Sequence, residues 1–309
     1  MGGSLQRLTG TGSQPSLGRY RCAVTTLEGM VRGLVAASGA RRAAVVAGQM
    51  GGPRAVLVEP DAVFHAASTM KVAVLVELYR RAWAGVVSLD APVVVRTEFR
   101  SLADGSAFRL DRADDSETGL YERVGEPVPV RDLARLMIVR SSNVATNLLI
   151  DQMGAAAVDR TVRDLGVTGV RVLRGVEDGP AFAAGLNNAV TAAGLASLLE
   201  RIADGSAAPT AACEAMVEIL AAQAFNEGIP AGLPPGTRVA HKTGSIASLY
   251  HDAGVVYPAG GRPYVLAVLT EGLNEATAAP ALVAAIAREV HGTLGAGSVA
   301  RNGAGPDWH

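Results

Sequence analysis

The sequence predicts a mixed α/β and all-α fold, in which an α/β sheet layer is interrupted by an inserted helical domain. In this chain of 309 residues, helix and strand patterns occur together near both ends, and a block of helical patterns lies between them. No internal repeat of solenoid type is present. The expected units are a flexible segment at 1–22, an α/β domain at 23–66 and 205–293, an inserted helical domain at 67–204 and a flexible tail at 294–309.

The first elements are a helix, a hairpin and a buried helix. A helix is predicted near Leu27–Ser38. The β-branched runs Ala43–Ala47 and Arg54–Val58 are separated by Gly51-Gly52-Pro53, which is typical of a hairpin. Residues 69–84 carry apolar side chains on nearly every side, so this helix is expected in the core.

The middle and the end of the chain differ in pattern. Residues 86–129 are rich in polar and turn residues and predict an irregular segment, and Gly-rich residues 166–190 predict a loop. Helical patterns occupy 130–140, 143–153, 155–165, 191–204 and 210–222. The last elements are predicted to be three strands, Thr237–Thr243, Tyr250–Tyr257 and Pro263–Thr270, and a helix at 276–291.

Composition excludes several classes of function. A net charge of −1 argues against a nucleic-acid-binding protein, and no apolar stretch approaches the length of a membrane span. The two cysteines and five histidines lack the spacings of disulfide scaffolds or metal sites, so no metal site is expected. The first residues lack the apolar core of a secretory signal. We therefore expect a cytoplasmic monomer, or a periplasmic or secreted one if a leader has been removed.

Lysine is scarce in this sequence. Of 28 basic residues 26 are arginine, and the two lysines are Lys71 and Lys242. Arginine stays protonated, whereas a buried lysine can lose its proton and act as a base. The lysines are therefore candidates for chemistry that arginine cannot perform, although two surface lysines retained by chance would give the same count.

Lys71 follows Ser68 by three positions, so a helix would place both side chains on one face. A serine hydroxyl needs an adjacent base to act as a nucleophile, and apolar neighbours lower the pKa of a lysine. The pair has the ingredients of a Ser nucleophile with a Lys base. A helix-capping serine with a surface lysine is the alternative.

Lys242 lies in Lys242-Thr243-Gly244-Ser245, at the end of a predicted strand. Glycine there lets a ligand approach the strand edge, and Lys, Thr and Ser offer positive charge and hydroxyl donors to a carboxylate. Ser141-Ser142-Asn143 lies between two predicted helices and alone is typical of a helix N-cap.

The ordered set S-x-x-K, S-x-N and K-T-G at 68, 141 and 242 resembles the serine β-lactamase and penicillin-binding protein superfamily, and fits the class A β-lactamases best. The resemblance covers roughly residues 25–293. It implies an antiparallel sheet flanked by helices with an inserted helical domain. It also implies acyl transfer from a small-molecule acyl substrate through a covalent acyl-enzyme, with no metal or organic cofactor.

The resemblance also implies a role for each motif residue. Ser68 is the expected nucleophile, Lys71 its base and Ser141 the proton relay to the leaving nitrogen. Asn143 would hold the substrate amide and Lys71, and Lys242 would supply positive potential. Thr243 and Ser245 would bind a substrate carboxylate beside Gly244, and the backbone N–H groups of Ser68 and Ser245 would form the oxyanion hole.

Two departures from the class A pattern concern water activation and carboxylate binding. Class A enzymes carry a glutamate in Arg-x-Glu-x-x-x-Asn. Here Glu177 is the third residue after Arg174 instead of the second, and no asparagine follows it four places on. Glu177 is either the deacylating base in an altered loop or an exposed turn residue. No arginine lies between Lys242 and Arg262, and His251 is the candidate to replace one.

Three functions follow from these observations. The first is β-lactam hydrolysis, hence antibiotic resistance. The second is another serine acyl enzyme: a penicillin-binding D-Ala-D-Ala carboxypeptidase, an esterase or amidase, or an acyltransferase. The third is a non-enzymatic binding domain, which the complete set of motifs disfavours.

One wall of the cleft is expected around residues 98–101 and Tyr121, with Phe99 and Tyr121 either stacking on substrate or packing in the core.

Overall fold

A sheet of five antiparallel strands lies between two helical layers in the computed structural model, which describes Met1 and residues 26–273 and 275–295. The strands of this part of the chain are β1 (Arg42–Gln49), β2 (Arg54–Val58), β3 (Phe64–His65), β4 (Pro92–Val94), β5 (Glu98–Arg100), β6 (Ala107–Arg109), β7 (Pro127–Pro129), β8 (Val170–Arg171), β9 (Ala189–Val190), β10 (Arg238–Ile246), β11 (Leu249–Tyr257) and β12 (Tyr264–Glu271). The helices are α1 (Leu27–Ala37), α2 (Lys71–Trp83), α3 (Val130–Val139), α4 (Asn143–Met153), α5 (Ala155–Asp164), α6 (Gly179–Ala183), α7 (Ala192–Ala203), α8 (Thr210–Ala221) and α9 (Ala278–Leu294).

The order of the central sheet is β10–β11–β12–β1–β2. Every neighbouring pair is antiparallel, so the predicted fold class is confirmed. The predicted hairpin is the β1–β2 pair. Strand β10 is at one edge of the sheet, which leaves its outer side open to a ligand.

The two faces of the sheet bury different cores. Along β1, Ala44 and Val46 belong to a large core shared with the middle of the chain, whereas Val45 and Ala47 belong to a second core under α1 and α9. This alternation follows from the two-residue period of a strand. Because both faces are covered, the sheet holds the residues of its edge strand β10 in fixed positions.

The chain between β2 and β10 supplies the helices of the large core. Helix α2 lies at its centre, and its residues from Lys71 to Tyr79 are all buried, as its all-round apolar pattern predicts. Helix α8 joins the same core through Cys213, Met216 and Leu220. The domain boundaries predicted at 66/67 and 204/205 stay predictions.

Several elements differ in detail from the sequence expectations. The helix expected from residue 69 begins at Lys71, and a 3₁₀ turn, Ala67–Met70, precedes it. Strand β10 continues to Ile246 because its pairing with β11 runs on through Ile246 and Leu249. Residues 86–129 contain short strand pairs and 3₁₀ turns, and 166–190 contain β8, α6 and β9.

Both predicted flexible ends fall largely outside the described residues. Of the segment 1–22 only Met1 is described, and of the tail 294–309 only Leu294, which ends α9, and Gly295. Within the described part of the chain, no helix is long and apolar enough to cross a membrane.

Candidate active site

Three separate segments meet at the open edge of the sheet. They are the 3₁₀ turn that carries Ser68, the connection between α3 and α4 that carries Ser141, and β10 with Lys242. The 3₁₀ turn packs directly on β10 and β11. The predicted site residues from all three motifs therefore lie together, although 174 positions separate the first from the last.

Lys71 is fully buried, and its Nζ lies within hydrogen-bonding distance of three oxygen atoms. Its Nζ lies 2.6 Å from the Ser141 carbonyl oxygen, 3.3 Å from Ser141 Oγ and 2.8 Å from Asn143 Oδ1. Burial lowers the pKa of Lys71 to about 7, against the opposing charges of Asp115 and Glu177. A large fraction of this lysine is therefore neutral at physiological pH and able to accept a proton.

Lys242 approaches the same serine from the opposite side. Its Nζ donates to Ser141 Oγ at 3.1 Å and to the Thr243 carbonyl oxygen at 2.8 Å. Burial, together with the charge of Lys71, lowers the pKa of Lys242 well below its usual range. The Ser141 hydroxyl thus bridges two buried amines, which is a chain along which a proton can move.

Backbone strain is concentrated around this hydroxyl chain. Ala67, Ser141 and Glu177 have φ angles of 45°, 57° and 59°, which non-glycine residues rarely adopt. Such strain persists only where the surrounding packing enforces it, and it clusters at functional sites.

Gly244 lets strand β10 pass close to the turn that holds Ser68. A Cβ atom on Gly244 would lie 3.0 Å from the backbone nitrogen of Ser68 and 3.1 Å from that of Thr69. Any larger residue would push the strand edge away from the serine. The glycine of the K-T-G motif therefore sets the width of the site.

Glu177 lies on the other side of Asn143. Its Oε1 accepts a hydrogen bond from Asn143 Nδ2 at 2.8 Å, and its Oε2 accepts one from the Asp111 backbone at 3.4 Å. Burial raises the pKa of this carboxyl, against the two hydrogen bonds that lower it. Asn143 thus connects Glu177 to Lys71, so Glu177 faces the site in spite of its shifted place in the sequence.

Asn147 holds the loop that presents Glu177. Its Oδ1 accepts from the Val176 N–H at 2.7 Å and its Nδ2 donates to the Val176 carbonyl at 2.9 Å. Asn147 is not among the site residues predicted from the sequence. The spacing held a signal, because Asn147 follows Asn143 by four positions and so shares its helix face.

Asp115 is a second residue that the sequence analysis missed. Its Oδ2 accepts from the backbone N–H groups of Asn143 and Val144 at 2.9 and 3.1 Å, so this buried carboxylate caps α4. It comes from the segment predicted to be irregular, and no local pattern connects it with a helix 28 residues later.

Two open cavities meet at Ser68. The first, the α9 cavity, has a volume of about 570 Å³ and extends from Ser141, Thr243 and Gly244 toward the start of α9. The second, the Glu177 cavity, has about 720 Å³ and includes Asn143 and Glu177. Ser68, Ser116 and Ser245 line both, so a ligand at Ser68 reaches both cavities.

Phe99 and Tyr121 pack within the protein, which is the second of the two alternatives given for them. Phe99 is buried against Phe108, and the Tyr121 hydroxyl donates to the Asp111 carbonyl oxygen, so neither lines a cavity at Ser68. Ser116 takes this place and lines both cavities. Phe99 alternates with exposed neighbours in β5 and therefore points into the core.

His251 does not replace the missing arginine. It is fully buried, its Nε2 donates to the His65 carbonyl oxygen at 3.0 Å and its Nδ1 accepts from the Thr270 N–H at 3.3 Å. Burial lowers its pKa, which keeps it neutral. Within residues 26–273 and 275–295 no group of three histidine, cysteine or carboxylate side chains is arranged to hold a metal ion.

A family model and several known proteins match this chain over most of its length. The family model of the beta-lactamase enzyme family matches residues 26–294. A β-lactamase of Streptomyces albus G is 29% identical over 280 residues, which is 88% of this chain and 86% of the relative.

Two solved structures share the fold over most of their length. The β-lactamase of Sphaerobacter thermophilus DSM 20745 is 28% identical, with a TM-score of 0.74 over 86% of this chain and 97% of the other. A single-residue mutant of PBP-A, in an acyl-enzyme complex with penicillin G, is 25% identical, with a TM-score of 0.73 over 86% and 95%. With the family model spanning nearly the whole described chain, the protein belongs to the beta-lactamase enzyme family.

Proposed function

We propose that this chain hydrolyses β-lactams through an acyl-enzyme formed on Ser68. It is a serine hydrolase of a family whose substrate class is the β-lactams. The observation that carries the proposal is the hydroxyl of Ser141 between two buried amines, beside Ser68 and at the open edge of β10.

In the acylation step, neutral Lys71 takes the proton of the Ser68 hydroxyl, and Ser68 Oγ forms a bond to the lactam carbonyl carbon. The backbone N–H groups of Ser68 and Ser245 stabilise the oxyanion, and each such donor is worth about 3 kcal/mol. The lactam C–N bond then breaks, and Ser141 gives its proton to the nitrogen. The proton that Lys71 took returns to Ser141 along their hydrogen bond.

Substrate positioning is divided between the two cavities. Asn143 holds the acylamino group at the Glu177 cavity, while Thr243 and Ser245 hold the ring carboxylate at the α9 cavity. Lys242 supplies positive potential behind them. All these groups come from one chain, so a monomer suffices, and neither nucleic acid nor a metal ion takes part in the steps.

In the deacylation step, Glu177 takes a proton from a water molecule, which attacks the ester carbonyl. The carboxylate then gives the proton to the Ser68 oxygen as the ester bond breaks. Two observations support this role: the hydrogen bond of Glu177 to Asn143, and its place in the cavity that Ser68 lines.

The test is a time course with a chromogenic cephalosporin, followed by turnover and by intact mass. Repeated turnover with a transient adduct, lost in Ser68→Ala, is expected. A stable adduct without turnover would instead indicate a penicillin-binding enzyme. No adduct and no turnover would overturn the proposal.

A further inference from the structure

The α9 cavity extends well beyond the residues needed to bind a carboxylate. Past Thr243 and Ser245 its walls come from Phe225, Tyr250 and small residues of the first turns of α9, such as Ala281 and Ala284. These walls leave room for a bulky group attached next to the carboxylate. A penicillin has no such group, but a cephalosporin carries its C3 substituent on the carbon beside the one that bears the carboxylate.

The only formal charge among the residues that line this cavity is negative. The lining contains no arginine, lysine or histidine, and its one charged residue is Glu227. Glu227 is exposed and forms no ion pair with the described residues. Burial raises the pKa of Tyr250, and the charges of Asp252 and Glu227 raise it further, so both carboxylates act on this residue of the cavity wall.

The cations near this cavity lie away from Glu227 or have other partners. Lys242 lies behind the carboxylate-binding end, where its Nζ donates to Ser141 Oγ and to the Thr243 carbonyl oxygen. Arg140 lies over the Phe225 ring at 5.9 Å, but it does not line the cavity, and its Nε faces Glu117 Oε2 at 3.6 Å. Asp252 is occupied by His241 and the Ile229 N–H, both at 2.8 Å. Glu227 is therefore the free acceptor of positive charge among the lining residues.

From these observations we infer that Glu227 makes the α9 cavity a subsite for a cationic substituent, and that zwitterionic cephalosporins are preferred substrates. The inference rests on the proposed function. A substrate with only its carboxylate meets Glu227 as a like charge, whereas a cationic C3 substituent meets it as an opposite one. Phe225 and Tyr250 line the same cavity, and aromatic side chains also favour a flat cation.

The experiment compares two cephalosporins with the same thienylacetyl side chain, one with a pyridinium and one with an acetoxy group at the C3 methylene. The readout is the kcat/KM of the pyridinium compound divided by that of the acetoxy compound, measured in the wild type and in Glu227→Gln. We expect the variant to lower the ratio roughly two- to fivefold, as for a solvent-screened ion pair. Glu227→Lys is expected to lower it further, and added salt to shrink both effects.

The matched control is Glu214→Gln, which removes the same charge from an exposed site on α8 away from the cavity. It should leave the ratio unchanged. An unchanged ratio in both Glu227 variants would overturn the inference while leaving β-lactam hydrolysis intact. If the enzyme is acylated without turnover, the second-order acylation rates give the same ratio. Failure of both cephalosporins to acylate Ser68 would count against the proposed function itself.

Discussion

The two sides of Ser68 are built in different ways. On the Lys71 side, three short motifs place two fully buried amines around Ser141, and the supporting elements are a central helix and a sheet strand. On the Glu177 side, one carboxylate is presented by a loop that a single asparagine holds. On the first side Lys71 begins the helix at the centre of the large core, so a change there disturbs core packing. On the second side the glutamate stands one residue later than in the class A pattern and still faces the site. Acylation is therefore the more constrained half of the reaction, and deacylation the more adjustable one.

The largest expected effect separates the two lysines. Lys71→Arg keeps the charge but cannot release a proton, so kcat/KM should fall by about 10³-fold or more. Lys242→Arg should retain more activity, because the role proposed for Lys242 is mainly electrostatic. Stopped-flow acylation measures both variants, with circular dichroism as the control for folding. If both variants kept the same kcat/KM, proton transfer by Lys71 would not be the difference between the two lysines.

Removal of the loop carboxylate should affect the other half of the reaction. Glu177→Gln is expected to slow deacylation by about 10²- to 10⁴-fold while acylation proceeds, because the variant keeps the shape but loses the base. Intact mass should then show the adduct on Ser68 accumulating. Unchanged turnover in this variant would assign water activation to another group.

The pH profile should show the proton that Lys71 must lose. Because the pKa of Lys71 lies near 7, kcat/KM should fall about tenfold per pH unit below 7 and level off above it. The measurement uses a substrate without a basic side chain, so that the substrate does not titrate in this range. A flat profile from about pH 5 to 9 would contradict the assignment of Lys71 as the base.

The smallest expected effect concerns the support of the loop. Asn147→Ala removes both hydrogen bonds to Val176 and leaves these backbone groups unpaired, at a cost of about 1–3 kcal/mol. Deacylation is expected to fall roughly tenfold, since one such factor corresponds to about 1.4 kcal/mol. The acylation rate of the same variant is the internal control, and an equal loss in both steps would show general damage instead of loop displacement.

Sequence reasoning reached the motifs and the fold because both have short-range signatures. A serine three positions before a lysine and a K-T-G in a strand are visible without any tertiary contact, and so is the helix–strand order. Asp115 and Glu227 have no such signature. Each matters only because the fold brings its segment to the site: Asp115 to the start of α4, and Glu227 to the end of the cavity near α9.

His251 is the reverse case, a residue that the sequence predicted at the site and that the structure places elsewhere. Its sequence position next to the K-T-G strand suggested a carboxylate ligand, but the alternation of β11 turns it toward His65 and Thr270. Sequence spacing predicts the strand that carries His251 but not its hydrogen-bond partners, which come from strands β3 and β12 in other parts of the chain.

The burial of Lys71 has a consequence for folding as well as for chemistry. Its pKa is lowered from 10.5 to about 7 in the folded protein, so between these values the unfolded chain binds more protons than the folded one. The free energy of unfolding therefore rises with pH across this window, and below about 7 the full cost of burying a charged amine remains. The group that makes the serine reactive thus opposes folding at neutral pH, and the large core around α2 must supply the stability that the site removes.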